Sequence, residues 1–146
     1  MYESYTRQSL PTKKYRELLG SALCVFCSNN AFLIENIVQT DLHKEWYKLI
    51  DKMSGRLKEI ISKTISANCE NTEIENLFLD IVDMRNRIIH GFQITSCNGE
   101  QVLATKTPGK ENSTQFEITE EYLLDFIRKN QKLSDLLYAY REQYIS

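Results

Sequence analysis

The spacing of apolar residues predicts four amphipathic helices, with a short run of alternating positions between the third and the fourth. Pro11 and Thr12 suit the first turn of a helix that runs through Leu18, Leu19, Ala22, Leu23, Val25, Phe26, Phe32, Leu33, Ile37 and Val38. Its wide apolar surface predicts a central position. Ser28, Asn29 and Asn30 interrupt that surface, so the helix should bend there or turn polar groups inward. A second helix, capped by Thr40 or Asp41, is read from Trp46, Leu49, Ile50, Met53, Leu57, Ile60 and Ile61, which keep three-and-four spacing. Its other side carries Lys44, Lys48, Lys52 and Arg56 at intervals of four, a ridge that could follow a phosphate backbone. Asp41, Glu45 and Glu59 interrupt it, and a solvated face with i,i+4 pairs is the commoner explanation.

Thr72-Glu73-Ile74-Glu75 has capping-box form and opens a third helix that should run to about His90 and end at Gly91. Phe92–Thr95 and Gln101–Thr105 then alternate around Asn98-Gly99, a hairpin signal. Residues 106–114 read as an exposed loop, and 115–118 can add a short third strand. Thr119, followed by Glu120 and Glu121, opens a last helix through Leu123, Leu124, Phe126, Ile127, Leu133, Leu136, Leu137 and Tyr140. The expected fold is all-α: a four-helix bundle with a small β-hairpin inserted between the third and fourth long helices.

Composition changes this picture little. The 146 residues suit one domain, 1–146, and 42% hydrophobic residues with only 5 Gly and 2 Pro point to an ordered helical protein. A net charge of -2 supplies no global attraction to nucleic acid, so any RNA contact requires a local basic patch. Without an apolar leader or an evident membrane-length apolar stretch, the expectation is a cytoplasmic protein without a membrane partner. The four cysteines then read as reduced thiols, with Cys24 and Cys27 packed in the core of the first helix. They lack a second ligand pair, so no metal or other cofactor is expected. Asn112-Ser113-Thr114 matches a glycosylation sequon that a cytoplasmic chain would not use.

The candidate chemistry lies in Arg85-Asn86-Arg87-Ile88-Ile89-His90 at the end of the third helix. The Arg85 to His90 spacing carries little by itself, since roughly 0.3 comparable matches arise by chance in such a composition. The setting carries more. Ile74, Phe78, Ile81, Arg85, Ile88 and Phe92 form one stripe, placing a guanidinium in apolar surroundings, where it needs an anionic partner. Asn76, Leu79, Asp83, Asn86 and His90 form a neighbouring, mostly polar stripe. A purely structural arrangement would pair Arg85 with Glu35 and use His90 as a helix C-terminal cap. Arg87, one turn after Asp83, reads as an i,i+4 ion-pair member, and His43 as a surface residue.

RNA supplies its own nucleophile, the 2′-hydroxyl, so cleavage requires only proton transfer and charge stabilisation. His90 can transfer that proton near neutral pH, Arg85 can neutralise charge on the phosphoryl oxygens, and Asn86 can orient either partner. Five helical steps separate Arg85 from His90 by roughly 140°. Two copies meeting across a two-fold axis would bring one protomer's Arg85 toward the other's His90.

The helical plan, the motif before Gly91, the hairpin and the Ile118-Thr119-Glu120-Glu121 start of the last helix resemble the HEPN superfamily (higher eukaryotes and prokaryotes nucleotide-binding), specifically its Arg-Asn-x-x-x-His ribonucleases. The resemblance implies a homodimeric, metal-independent endoribonuclease with Arg85, Asn86 and His90 as catalytic residues in a cleft at the interface. It further implies a toxin or abortive-infection defence effector with an RNA substrate and a neutralising protein partner. Some HEPN toxins carry a modifiable Tyr two residues after the His; this chain has Phe92 there. The superfamily also contains noncatalytic interaction or dimerisation modules, including antitoxin and immunity-type partners, which is the alternative expectation.

Overall fold

The computed structural model describes residues 1–107 and 114–145, and these are mostly helical with one small antiparallel sheet. Helix α1 (Lys13–Thr40) is followed by α2 (Trp46–Ile50), α3 (Lys58–Ile61), α4 (Ala67–Cys69) and α5 (Glu73–Ile89). Strands β1 (Phe92–Thr95), β2 (Gln101–Lys106) and β3 (Gln115–Ile118) lead into α6 (Glu120–Tyr144). Three long helices and a broken helical segment therefore stand where four continuous helices were expected. The hairpin is extended to a sheet of order β1-β2-β3.

Helix α1 begins where Thr12 Oγ1 accepts a hydrogen bond from the Tyr15 amide. It continues to Thr40, so neither Thr40 nor Asp41 caps a following helix. Thr40 instead bonds the Asn36 carbonyl and the Tyr140 hydroxyl, while Asp41 accepts from the His43 amide. Composition and length alone would allow α1 to cross a membrane, contrary to the sequence expectation. Here its buried residues Ala22, Phe26, Leu33, Ile34 and Ile37 belong to the core, which is compatible with a soluble protein. Asn29 turns inward as anticipated. Its amide donates to the carbonyl and Oδ1 of Asn130 in α6, at 2.7 and 3.0 Å, joining the two longest helices through a satisfied polar pair.

Cys24 and Cys27 are exposed, against the expectation of core packing, because Ala22 and Phe26 take the inward positions of these turns. The predicted second helix is broken. Leu49 is buried in α2, after which a 3₁₀ turn at Ser54–Leu57 buries Ser54 and Leu57. Ile61 and Ile65 continue the inward row, and a π-helical turn spans Ser62–Ser66. Two shorter registers replace one continuous stripe, so Trp46 and Met53 are exposed.

Helix α5 begins as expected at Glu73, although Thr72 makes no capping bond. Asn71 Oδ1 accepts from the Glu73 amide, and Thr72 Oγ1 accepts from the Asn76 side chain. The hairpin uses a turn over Ser96–Gly99, with the Gly99 amide bonded to the Ser96 carbonyl and Gly99 at φ 85°. Asn98 and Gly99 thus occupy the end of a three-residue loop, where only glycine adopts the positive φ without strain. Thr119 caps α6 by accepting from the Tyr122 amide. Part of the expected 106–114 loop, and Asn112 and Ser113 of the sequon, lie outside the described residues.

Gly91 ends α5 for a reason the sequence pattern did not carry. A Cβ there would stand 3.0 Å from the Ile88 carbonyl oxygen and 3.1 Å from that of Ala104 in β2. The helix end must press against the strand. Gly91→Ala is expected to lower stability by about 1–3 kcal/mol, because both obstacles are backbone atoms. An unchanged denaturant midpoint would show that the helix-to-strand approach is not tight.

Candidate functional site

Helix α5 carries all three candidate residues on its last turns. Ile74, Phe78, Ile81 and Ile88 of the first stripe are buried, and the helix is anchored through them. Phe92 is exposed and leaves the stripe after the helix ends. Arg85 occupies the gap between Ile81 and Ile88, half-buried, with its guanidinium carbon 4.9 Å from the centroid of the Phe26 ring in α1.

The expected anionic partner is not found among the described residues; the ring face of Phe26 takes its place. Glu35, its partner in a purely structural arrangement, is paired with Arg141 at 3.2 Å instead. Phe26 itself packs against Phe78 and Phe126, so the platform beneath Arg85 belongs to the aromatic core. The Arg85 Nε is buried and has no hydrogen-bond partner. Burial pulls the guanidinium below its ordinary pKa, with neighbouring Cys27 acting in the opposite sense. A cation held by a π-face, with no partner on its terminal nitrogens among the described residues, retains capacity to bind an anion.

His90 is the C-cap residue of α5. Its backbone amide donates to the Asn86 carbonyl at 3.0 Å while its side chain is exposed. Asn86, one turn earlier, is half-buried. Among the described residues, no hydrogen bond links the side chains of Arg85, Asn86 and His90. Arg85 leans toward α1 and His90 stands in solvent, in keeping with their angular separation on one helix.

Arg87 does not form the expected pair with Asp83. Its Nη1 donates to the Lys106 carbonyl at 2.6 Å, tying the end of α5 to the end of β2. Tyr122 of α6 donates to the Met84 carbonyl at 3.4 Å; burial first, and then Asp83, push its phenol up to about 12, so it is a neutral donor at physiological pH. Phe26 and Tyr122 were not singled out by sequence reasoning. Both approach α5 from helices distant along the chain, and one sequence carries no signal for such pairings.

Two residues close to His90 in sequence carry exposed apolar side chains. Ile89 is 48% exposed and Phe92 43%. Arg85, Asn86 and His90 line none of five surface concavities found elsewhere on the molecule. Among the described residues, no three His, Cys, Asp or Glu side chains are grouped as metal ligands. His43 is exposed, as expected. No protein-family model, curated protein or solved structure matched the chain.

Proposed function

We propose that the chain is a metal-independent endoribonuclease of HEPN type, working as a homodimer in the cytoplasm as a toxin or defence effector. The observation that carries this reading is Arg85. A half-buried guanidinium stacked on Phe26, with no hydrogen bond or ion pair to its terminal nitrogens among the described residues, has donors free to meet an anion. A phosphodiester is the anion that the neighbouring groups can process. His90 of one protomer accepts the 2′-hydroxyl proton, the freed oxygen attacks phosphorus, and the 5′-oxygen leaves as its bond to phosphorus breaks. A protonated histidine returns a proton to that leaving oxygen. Arg85 neutralises the phosphoryl oxygens, and Asn86 orients the phosphate or the imidazole. The products are a 2′,3′-cyclic phosphate and a 5′-hydroxyl.

Dimerisation supplies what one protomer lacks. The exposed Ile89 and Phe92 flank His90 and give an apolar surface for a second copy, whose Arg85 would complete the cleft. The same two residues also favour a second reading, a noncatalytic HEPN interaction module that docks an antitoxin-type or immunity-type partner. Sedimentation followed by incubation with RNA in excess EDTA separates the two. The ribonuclease reading expects a dimer that cleaves RNA with chelator present; a requirement for added Mg²⁺, or a dimer inert toward varied RNAs, contradicts it.

A further inference from the structure

The break in the predicted second helix leaves an unusual surface between Asp41 and Lys58. Leu42 and Tyr47 are each 80% exposed, Met53 is 70% exposed, and Trp46 is also accessible. Trp46 and Tyr47 meet edge to face at 5.7 Å. Five cations and three carboxylates share this stretch, which is locally positive in a chain of net charge -2. Glu45 is paired with Lys48, and nearby Glu59 with Lys63, each at 2.9 Å. Lys44, Lys52, Arg56 and Lys58 have no carboxylate partner among the described residues. Arg56 and Lys58 also line a concavity of about 530 Å³ with Gly55, Glu59 and Ser62.

The turn that carries Arg56 lies against α1 close to the Arg85 platform. Asn30 lies one helical turn beyond Phe26 on α1, and its Oδ1 accepts from the Ser54 hydroxyl at 3.1 Å in the turn that also carries Arg56. Four helical steps advance only about 6 Å, so the cationic turn and the Arg85 platform are neighbours along one face of α1.

We propose that the Asp41–Lys58 surface binds single-stranded RNA and leads it toward Arg85. Arg56 and Lys58 hold phosphates, and Tyr47 and Trp46 stack on unpaired bases. The proposal rests on the RNA-cleaving reading for its direction along α1. Single-stranded RNA is favoured over an anionic bilayer because cations line a concavity, into which a strand fits and a flat surface does not. It is favoured over a duplex because exposed aromatic faces suit unstacked bases.

The test uses His90→Ala protein, so that bound RNA is not consumed, and the anisotropy of a labelled mixed-sequence single-stranded RNA in EDTA. Adding Arg56→Gln with Lys58→Gln should weaken binding roughly tenfold at moderate salt and reduce the logarithmic salt slope by about 1.4, or 0.7 per lost cation. Adding Tyr47→Ala should weaken it roughly tenfold through lost stacking. These side chains are exposed, and unchanged far-UV circular dichroism controls for folding. Unaltered affinity in both variants overturns the proposal, even if the wild-type chain cleaves RNA. Preferential binding to phosphatidylserine vesicles, lost in Tyr47→Ala, with no RNA held, also overturns it. Segment-dependent RNA binding by a chain that never cleaves RNA supports the proposal and removes the ribonuclease reading instead.

Discussion

His90→Ala is expected to reduce RNA cleavage by roughly 10²–10⁴-fold, the range for loss of a positioned acid or base, while leaving the fold intact. The imidazole is exposed, and the bond that ends α5 runs from the His90 backbone amide to the Asn86 carbonyl, which alanine retains. Stability should change by less than about 1 kcal/mol, the scale of a charge at a helix C-terminus. Cleavage of labelled RNA in EDTA and a denaturant melt give the two readouts. Undiminished cleavage would remove His90 from the reaction. A variant that unfolds would instead make the imidazole a structural cap.

Arg85→Met separates function from stability more sharply. Cleavage should fall by roughly 10²–10³-fold, since the group proposed to neutralise phosphoryl charge is gone. Stability should hold, or rise by about 1 kcal/mol. The unpartnered buried Nε is removed, a gain of about 1–3 kcal/mol, against loss of the stacking on Phe26, worth about 0.5–1 kcal/mol. Methionine fills much of the space left between Ile81 and Ile88, whereas Arg85→Ala would also open a cavity. Arg85 would be structural if Arg85→Met lost several kcal/mol and still cleaved RNA. A residue that costs stability where it stands is a functional candidate by that cost.

What was legible in the sequence follows from the range of each interaction. Helices α1, α5 and α6 and the hairpin were readable because their periodicity and turn signals are local. The half-buried position of Arg85 followed from the stripe that Ile74, Phe78, Ile81 and Ile88 define. The second helix failed because its three-and-four spacing was kept across a break. Ser54 is buried against Asn30 and re-registers the chain, and that bond joins residues from different helices. Cys24 and Cys27 were misplaced inward because α1 is apolar on more than one side, so hydrophobicity alone did not select its buried face. A purely structural arrangement pairs Arg85 with the carboxylate of Glu35, whereas the structure sets it on the ring of Phe26. Gly91 was recognised as the end of α5, but its need for close approach to β2 depends on Ala104.

The central proposal, that Arg85 and His90 cleave RNA through its own 2′-hydroxyl, is tested most directly by the ends of the products. Wild-type protein incubated with RNA in excess EDTA should yield 2′,3′-cyclic phosphate and 5′-hydroxyl termini by mass spectrometry, and both His90→Ala and Arg85→Met should yield almost none. Fragments carrying 3′-hydroxyl and 5′-phosphate ends, or cleavage only after Mg²⁺ is restored, would contradict it.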